Sequence, residues 1–228
     1  MALAKELADL VGLFKINVQL FTAEGPEAVR KLAKLGVGVF LDLKYHDIPN
    51  TVAGAVTAAA ALPGVQLLNV HATGGVEMMR AAAQALSSSA AAEFRPKLLG
   101  VTILTSMDRK ALSEVGITGT PKSRVVSLAR LAKRAGLDGV VASPLEVKQI
   151  RTACGPGFLT VIPGVRPADP NAKPSKRRDD QARVSTPGDA IRAGADYLVV
   201  GRPIAAAQDP RVAAQSVVEE IAVAMSGD

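Results

Sequence analysis

Strand-like and helix-like segments alternate along this chain at a regular interval, and that alternation limits the fold more than any other feature. Short apolar runs lie at 13–18, 37–43, 65–71, 97–104, 139–142, 158–162 and 197–200. Helical stretches separate them at 26–35, 49–62, 76–87, 122–135, 144–153 and 187–193. A helix at 2–11 precedes the series and another at 211–225 closes it. Ser143-Pro144 and Ser185-Thr186-Pro187 read as helix starts, because a hydroxyl caps free N–H groups and proline suits the first turn. A helix between each strand and the next makes the strands parallel. No linker or composition break interrupts the pattern, which predicts one α/β domain over residues 1–228. A closed (β/α)8 TIM barrel needs eight strands, and seven are counted here. Either one strand is absent from the start or the sheet is open.

The core must be built without large rings. The chain is 48% hydrophobic, only 3% aromatic and free of Trp, which leaves Ala, Val, Leu and Ile to fill the interior. No apolar run is long enough to cross a membrane, and the start of the chain lacks the basic segment and apolar core of a signal peptide. Cys154 is the one cysteine. An internal disulfide is therefore excluded, and the expected location is cytoplasmic. The net charge of +6 includes Lys173, Lys176, Arg177, Arg178 and Arg183 in a polar loop at 168–184. With few aromatics for base stacking and no nucleic-acid motif, a small phosphorylated ligand explains this charge better than nucleic acid does.

The most unusual stretch is Phe40-Leu41-Asp42-Leu43-Lys44-Tyr45-His46-Asp47-Ile48-Pro49-Asn50-Thr51. It sets two charges into an apolar strand. Side chains alternate faces along a strand, so Asp42 and Lys44 are expected on one side and Leu41 and Leu43 on the other. Asp47 follows where the strand gives way to a loop. Burying such charges is costly unless they pair or meet a charged ligand. A salt-bridge cluster tying the strand end to its neighbours and a ligand site both satisfy that condition. Other polar exceptions also fall at strand ends: Thr105, Arg166, Gly201 and Arg202. In a TIM barrel that end carries the active site, and a phosphate sits at the last strand–helix loops. Gly201-Arg202 suits a phosphate, with an approachable backbone and a bidentate donor, although the same residues also make an ordinary turn. His46 and His71, the only histidines, are too few for a usual zinc site and read as structural polar residues.

These motifs together resemble the orotidine 5′-phosphate decarboxylase family. The residues that carry the resemblance are Phe40 to Val52, Phe14-Lys15, Leu20-Phe21-Thr22, Gly25-Pro26, Asn69-Val70-His71-Ala72 with Gly74-Gly75, and Val101 to Met107. Pro163-Gly164-Val165-Arg166-Pro167, Asp180-Gln181-Ala182-Arg183 and Gly201-Arg202-Pro203 complete the set, in the family's order. The resemblance implies a (β/α)8 TIM barrel whose first strand, ending in an aspartate that holds the ribose hydroxyls, is missing before the helix at 2–11. It implies decarboxylation of orotidine 5′-phosphate to UMP with no metal or organic cofactor, by a homodimer with sites at its interface.

Carried over by motif, Lys15, Asp42, Lys44 and Asp47 form an alternating charge network, with Asp47 reaching into the neighbouring subunit's site. Lys44 delivers a proton to C6 as CO2 leaves, and Asp42 sits beside the substrate carboxylate. Thr51, Thr105, Arg166, Gln181, Gly201 and Arg202 match ligand-contacting positions, with Gln181, Gly201 and Arg202 on the phosphate. Sugar-phosphate enzymes of the same superfamily share the D-x-K-x-x-D core but use magnesium. Ile48-Pro49-Asn50-Thr51 and Asp180-Gln181 favour the nucleotide enzyme. The loop around 171–180 is longer and more basic than the bacterial type leads one to expect.

Overall fold

The strands β1 (Leu13–Asn17), β2 (Gly38–Tyr45), β3 (Val65–His71), β4 (Lys97–Val101), β5 (Gly139–Val141), β6 (Leu159–Pro163) and β7 (Tyr197–Val199) lie in one sheet in chain order. The pairs β1–β2, β2–β3, β3–β4 and β6–β7 are parallel. Helices intervene between consecutive strands, so the fold is of the TIM-barrel class, with seven strands among the described residues. The computed structural model of the protein describes residues 1–89, 95–167 and 185–226. The basic loop at 168–184, and Gln181 with it, lies outside them.

The chain divides into two compact units, Met1–Thr102 with Leu128–Val140, and Ile103–Ser127 with Val141–Asp228. In the first, α4 (Pro49–Ala60) and α5 (Gly75–Ser89) lie side by side. α4 buries Val52, Val56 and Ala59, and α5 buries Met78, Met79, Ala82 and Leu86. Both sets follow the helical repeat, and small residues let the helices approach. Beneath them Val39, Leu41, Leu68, Val70, Leu98 and Leu99 are fully buried. Gly100 has no side chain for a packing reason: a Cβ there would stand 3.1 Å from the Ala132 Cβ and 3.2 Å from Leu137. In the second unit α9 (Pro187–Arg192) packs on α11 (Pro210–Ser226), and the Gly188 N–H donates to Glu220 Oε1 at 2.9 Å.

Each unit also carries the same fastening. Ala135-Gly136-Leu137-Asp138 leads into β5, and Ala193-Gly194-Ala195-Asp196 leads into β7. The glycine has a positive φ in both, 89° and 100°, as a helix C-terminus often requires. The aspartate then accepts the backbone N–H at the start of the preceding strand. Asp138 takes Leu98 N–H at 2.8 Å and both guanidinium arms of Arg95 at 3.1 and 2.6 Å. Asp196 takes Thr160 N–H at 2.6 Å, the Thr160 hydroxyl at 3.0 Å and the guanidinium of Arg151.

Several boundaries differ from the sequence expectation. Three short helices were not expected: α2 (Val18–Glu24), α6 (Arg109–Glu114) and α10 (Arg202–Ala205). The side chains of Asn17 and Asp108 cap the first two, accepting from Leu20 N–H at 3.0 Å and Ala111 N–H at 2.8 Å. None of the residues of α2 is buried and only Leu112 is in α6, so neither displays an apolar period. β4 stops at Val101 rather than 104, and the chain turns with Met107 N–H on the Leu104 carbonyl. The helix α1 (Ala2–Leu7) ends four residues before 11. α5 runs on to Ser89, two residues past 87, and the Ser87 hydroxyl donates to the Ala83 carbonyl at 2.9 Å.

Candidate active site

The site begins with a carboxylate buried among apolar residues. β2 runs through the interior of the first unit, and Asp42, near its C-terminal end, is only 6% exposed. Asn17 of β1 pairs with Asp42, and Lys15 lies two residues earlier on that neighbouring strand, opposite Phe40. The Lys15 ammonium donates to Asp42 Oδ2 at 2.9 Å. The Lys44 ammonium donates to Oδ1 at 2.5 Å, and the side-chain amide of Asn69, on β3, donates to the same oxygen at 2.6 Å. Both lysines keep about a third of their side chains exposed, 30% and 33%, whereas the aspartate side chain keeps 8%. One anion thus sits under two cations that reach toward solvent, and the cluster carries a net positive charge.

Burial alone would raise the Asp42 carboxyl. The charges of Lys15 and then Lys44, with the hydrogen bonds from Lys44 and Asn69, outweigh it and hold the group below its ordinary value. Nearby, the His46 and His71 rings meet with centroids 5.2 Å apart and planes tilted by 33°. Burial, then the repulsion of His46 and Lys44, pushes the imidazole of His71 down against the attraction of Asp42. A neutral ring at this place adds no charge to the cluster.

The two side chains of Asp-x-Lys do converge, but not by regular strand alternation. The β2–β3 register shifts between Leu41 and Tyr45, and Lys44 has φ of 53°, the only positive value at a non-glycine among the described residues. Such a conformation costs on the order of 1 kcal/mol and persists where the surroundings hold it. Here Asn69 Oδ1 accepts the Lys44 N–H at 2.8 Å. Asn69 was not singled out from the sequence as a site residue. Its signal is a second amide in the short run of β3, buried where Gln66 is exposed.

Asp47 stands apart from this cluster. It is exposed, and its carboxylate accepts the N–H of Ile48 at 2.6 Å. Ile48 is 67% exposed, and Asn50 and Thr51 are exposed on the first turn of α4. In the second unit, Thr105 lies half-buried in the turn beyond β4, and Arg166 is half-buried just past β6 with its N–H on the Ser185 carbonyl at 3.0 Å. Gly201 caps α10, and Arg202 is its exposed first residue. The structure therefore brings together Lys15, Asp42 and Lys44, leaves Asp47 outside their network, and sets the remaining described candidates beyond strand ends. Among the described residues no group of three or more His, Cys, Asp or Glu side chains could hold a metal ion, and no helix is long and apolar enough to cross a membrane.

An ammonium pair clamped on a buried carboxylate can attract an anion and present a fixed proton donor to it. Comparisons with known proteins identify the family. The family model for the orotidine 5′-phosphate decarboxylase / HUMPS family matches residues 1–217. The chain is 55% identical over 218 residues to the orotidine 5′-phosphate decarboxylase of Trichlorobacter lovleyi, covering 96% of this chain and 88% of that protein. It is 56% identical over 215 residues to the enzyme of the same name from Pelobacter propionicus, covering 94% and 86%. Among solved structures, the orotidine 5′-phosphate decarboxylase of Lactobacillus acidophilus superposes with a TM-score of 0.80 at 39% identity, covering 96% of this chain and 93% of that one. On a match that runs through the strands carrying Lys15, Asp42 and Lys44, the chain belongs to the orotidine 5′-phosphate decarboxylase / HUMPS family.

Proposed function

We propose that this protein converts orotidine 5′-phosphate to UMP and CO2, in de novo pyrimidine biosynthesis, without a metal or organic cofactor. The observation that carries the reading is the Asp42 carboxylate held between the ammonium groups of Lys15 and Lys44. Family membership supports it. When the bond from C6 to the carboxylate carbon breaks, its electron pair stays on C6 as a localised carbanion, which the ring does not readily delocalise. A fixed ammonium beside C6 grows more favourable as that charge develops. Lys44 then transfers a proton to C6, UMP forms, and water returns a proton to the amine. Lys15 and Asp42 hold Lys44 in place, and Asp42 lies beside the leaving carboxylate. The phosphate is bound by Arg202, the Gly201 backbone and Gln181. Thr51, Thr105 and Arg166 contact the rest of the nucleotide. Binding energy from the remote phosphate helps to organise the reacting centre.

In this reading residues 1–228 work as one domain in a cytoplasmic homodimer. This reading puts the subunit contact at the exposed run from Asp47 to Thr51, which includes Ile48 at 67% exposure. Asp47 then completes the charge network of the neighbouring site. The test is turnover of orotidine 5′-phosphate with EDTA present, followed by loss of substrate absorbance. Rapid conversion to UMP is expected. A protein that turns over only when magnesium is supplied would reject the reading in favour of the sugar-phosphate branch.

A further inference from the structure

Between the pairings Leu41↔Leu68 and Tyr45↔Val70, β2 carries three residues, Asp42, Leu43 and Lys44, while β3 offers only Asn69. A bulge of this kind takes backbone groups out of the ladder and re-aims a side chain. Asn69 is fully buried, and its amide supplies what the ladder no longer does. Oδ1 accepts the Lys44 N–H at 2.8 Å, and Nδ2 donates to Asp42 Oδ1 at 2.6 Å. One planar group thereby ties the backbone of the lysine to the carboxylate that its own ammonium grips at 2.5 Å. Few side chains could do this. The task needs a neutral group with an acceptor and a donor side by side. An ionised carboxylate would repel Asp42, and a longer amide would not fit a closed interior.

We propose that Asn69 is a positioning residue for Lys44. It touches no reacting atom. It holds the left-handed backbone at Lys44, and so fixes where the ammonium is delivered relative to Asp42. The geometric part of this inference stands on the structure. Its effect on rate rests on the decarboxylase reading above.

The test uses Asn69→Ala and the isosteric Asn69→Asp in the full chain, with folding checked by circular dichroism and melting. Crystal structures read the geometry independently of any reaction. The expected change is that Lys44 leaves positive φ and its ammonium separates from Asp42. Should Lys44 keep both in the variants, the inference is overturned, whatever the protein catalyses. In kinetics, kcat per folded enzyme should fall by about 100-fold in both variants at neutral pH, with UMP affinity held within about threefold, because a misplaced group costs rate more than ground-state binding. Asn69→Asp should regain rate as the pH falls, since a protonated carboxyl again offers one donor and one acceptor. Asn69→Ala should not. If Asn69 served stability alone, both variants would melt earlier but turn over at the wild-type kcat with the wild-type pH profile, and that result would also overturn the inference. A wild-type protein without decarboxylase activity would reject the functional reading and leave the crystal structures to decide the role of Asn69.

Discussion

Three donors converge on the two oxygens of Asp42, and two of them are cations. This carboxylate therefore has a depressed titration in the folded state, against the opposing effect of its burial. The consequence for stability has a definite sign. The unfolded chain binds the proton first, near the ordinary value of 3.8. The stabilisation from ionised Asp42 is therefore complete above that pH and is lost as the pH falls from there through the folded value. Chemical unfolding of wild type and Asp42→Asn across this acid range should show a difference that is largest above pH 3.8 and shrinks below it. A difference that stays constant with pH would mean that Asp42 is not paired in this way. At this scale the sequence was informative where charge broke an apolar run. Lys15, Asp42 and Lys44 stand out against Leu, Ile and Val for that reason. The bulge did not stand out, because a one-letter strand gives no sign that Lys44 will turn left-handed. Nor did the partner of that bulge, since Asn69 is one amide among several until β3 is laid beside β2.

The elements show the same division between what patterning reveals and what it hides. The span of β3 matched its expected 65–71 residue for residue, because a short apolar run between Gly64 and Gly74 leaves little choice. The helices α2, α6 and α10 were hidden, because short exposed helices bury almost nothing; side-chain caps start the first two, and α10 starts on Gly201 with Pro203 in its first turn. The paired Ala-Gly-x-Asp segments were equally unremarked, although they fasten β4 and β6 at their second residues. They lie at strand starts, the end of a barrel that serves stability rather than chemistry. Asp138→Ala leaves the N–H of Leu98 and the Arg95 guanidinium without their acceptor. It should lower unfolding free energy by about 2 kcal/mol while kcat of the remaining folded protein stays at the wild-type value. A large loss of kcat with no change in the denaturant midpoint would contradict this assignment.

For the molecule as a whole, strand order was legible from the alternation of strands and helices, and the family from residues spread over most of the chain. The proposed sharing of a site between subunits rests on the family resemblance rather than on patterning, because an interface would leave only an exposed loop in a single chain. Asp47 lies outside the network of its own chain, and in the proposed dimer it serves the other site. Lys44→Ala and Asp47→Ala subunits, each inactive alone, should therefore recover activity when mixed, up to about one quarter of the wild-type value, as hybrid dimers assemble one intact site. No recovery after demonstrated subunit exchange would assign Asp47 to its own subunit.

In the proposed reaction the ammonium of Lys44, fixed by Asp42, performs the proton transfer at C6. The most direct measurement compares orotidine 5′-phosphate turnover by wild type and Lys44→Ala in EDTA, alongside the melting shift each shows with UMP. The variant is expected to lose at least about 1,000-fold in kcat, in keeping with the loss of electrostatic and acid catalysis together, while UMP still raises its melting temperature. Turnover near the wild-type rate in a folded, UMP-binding Lys44→Ala protein would contradict it.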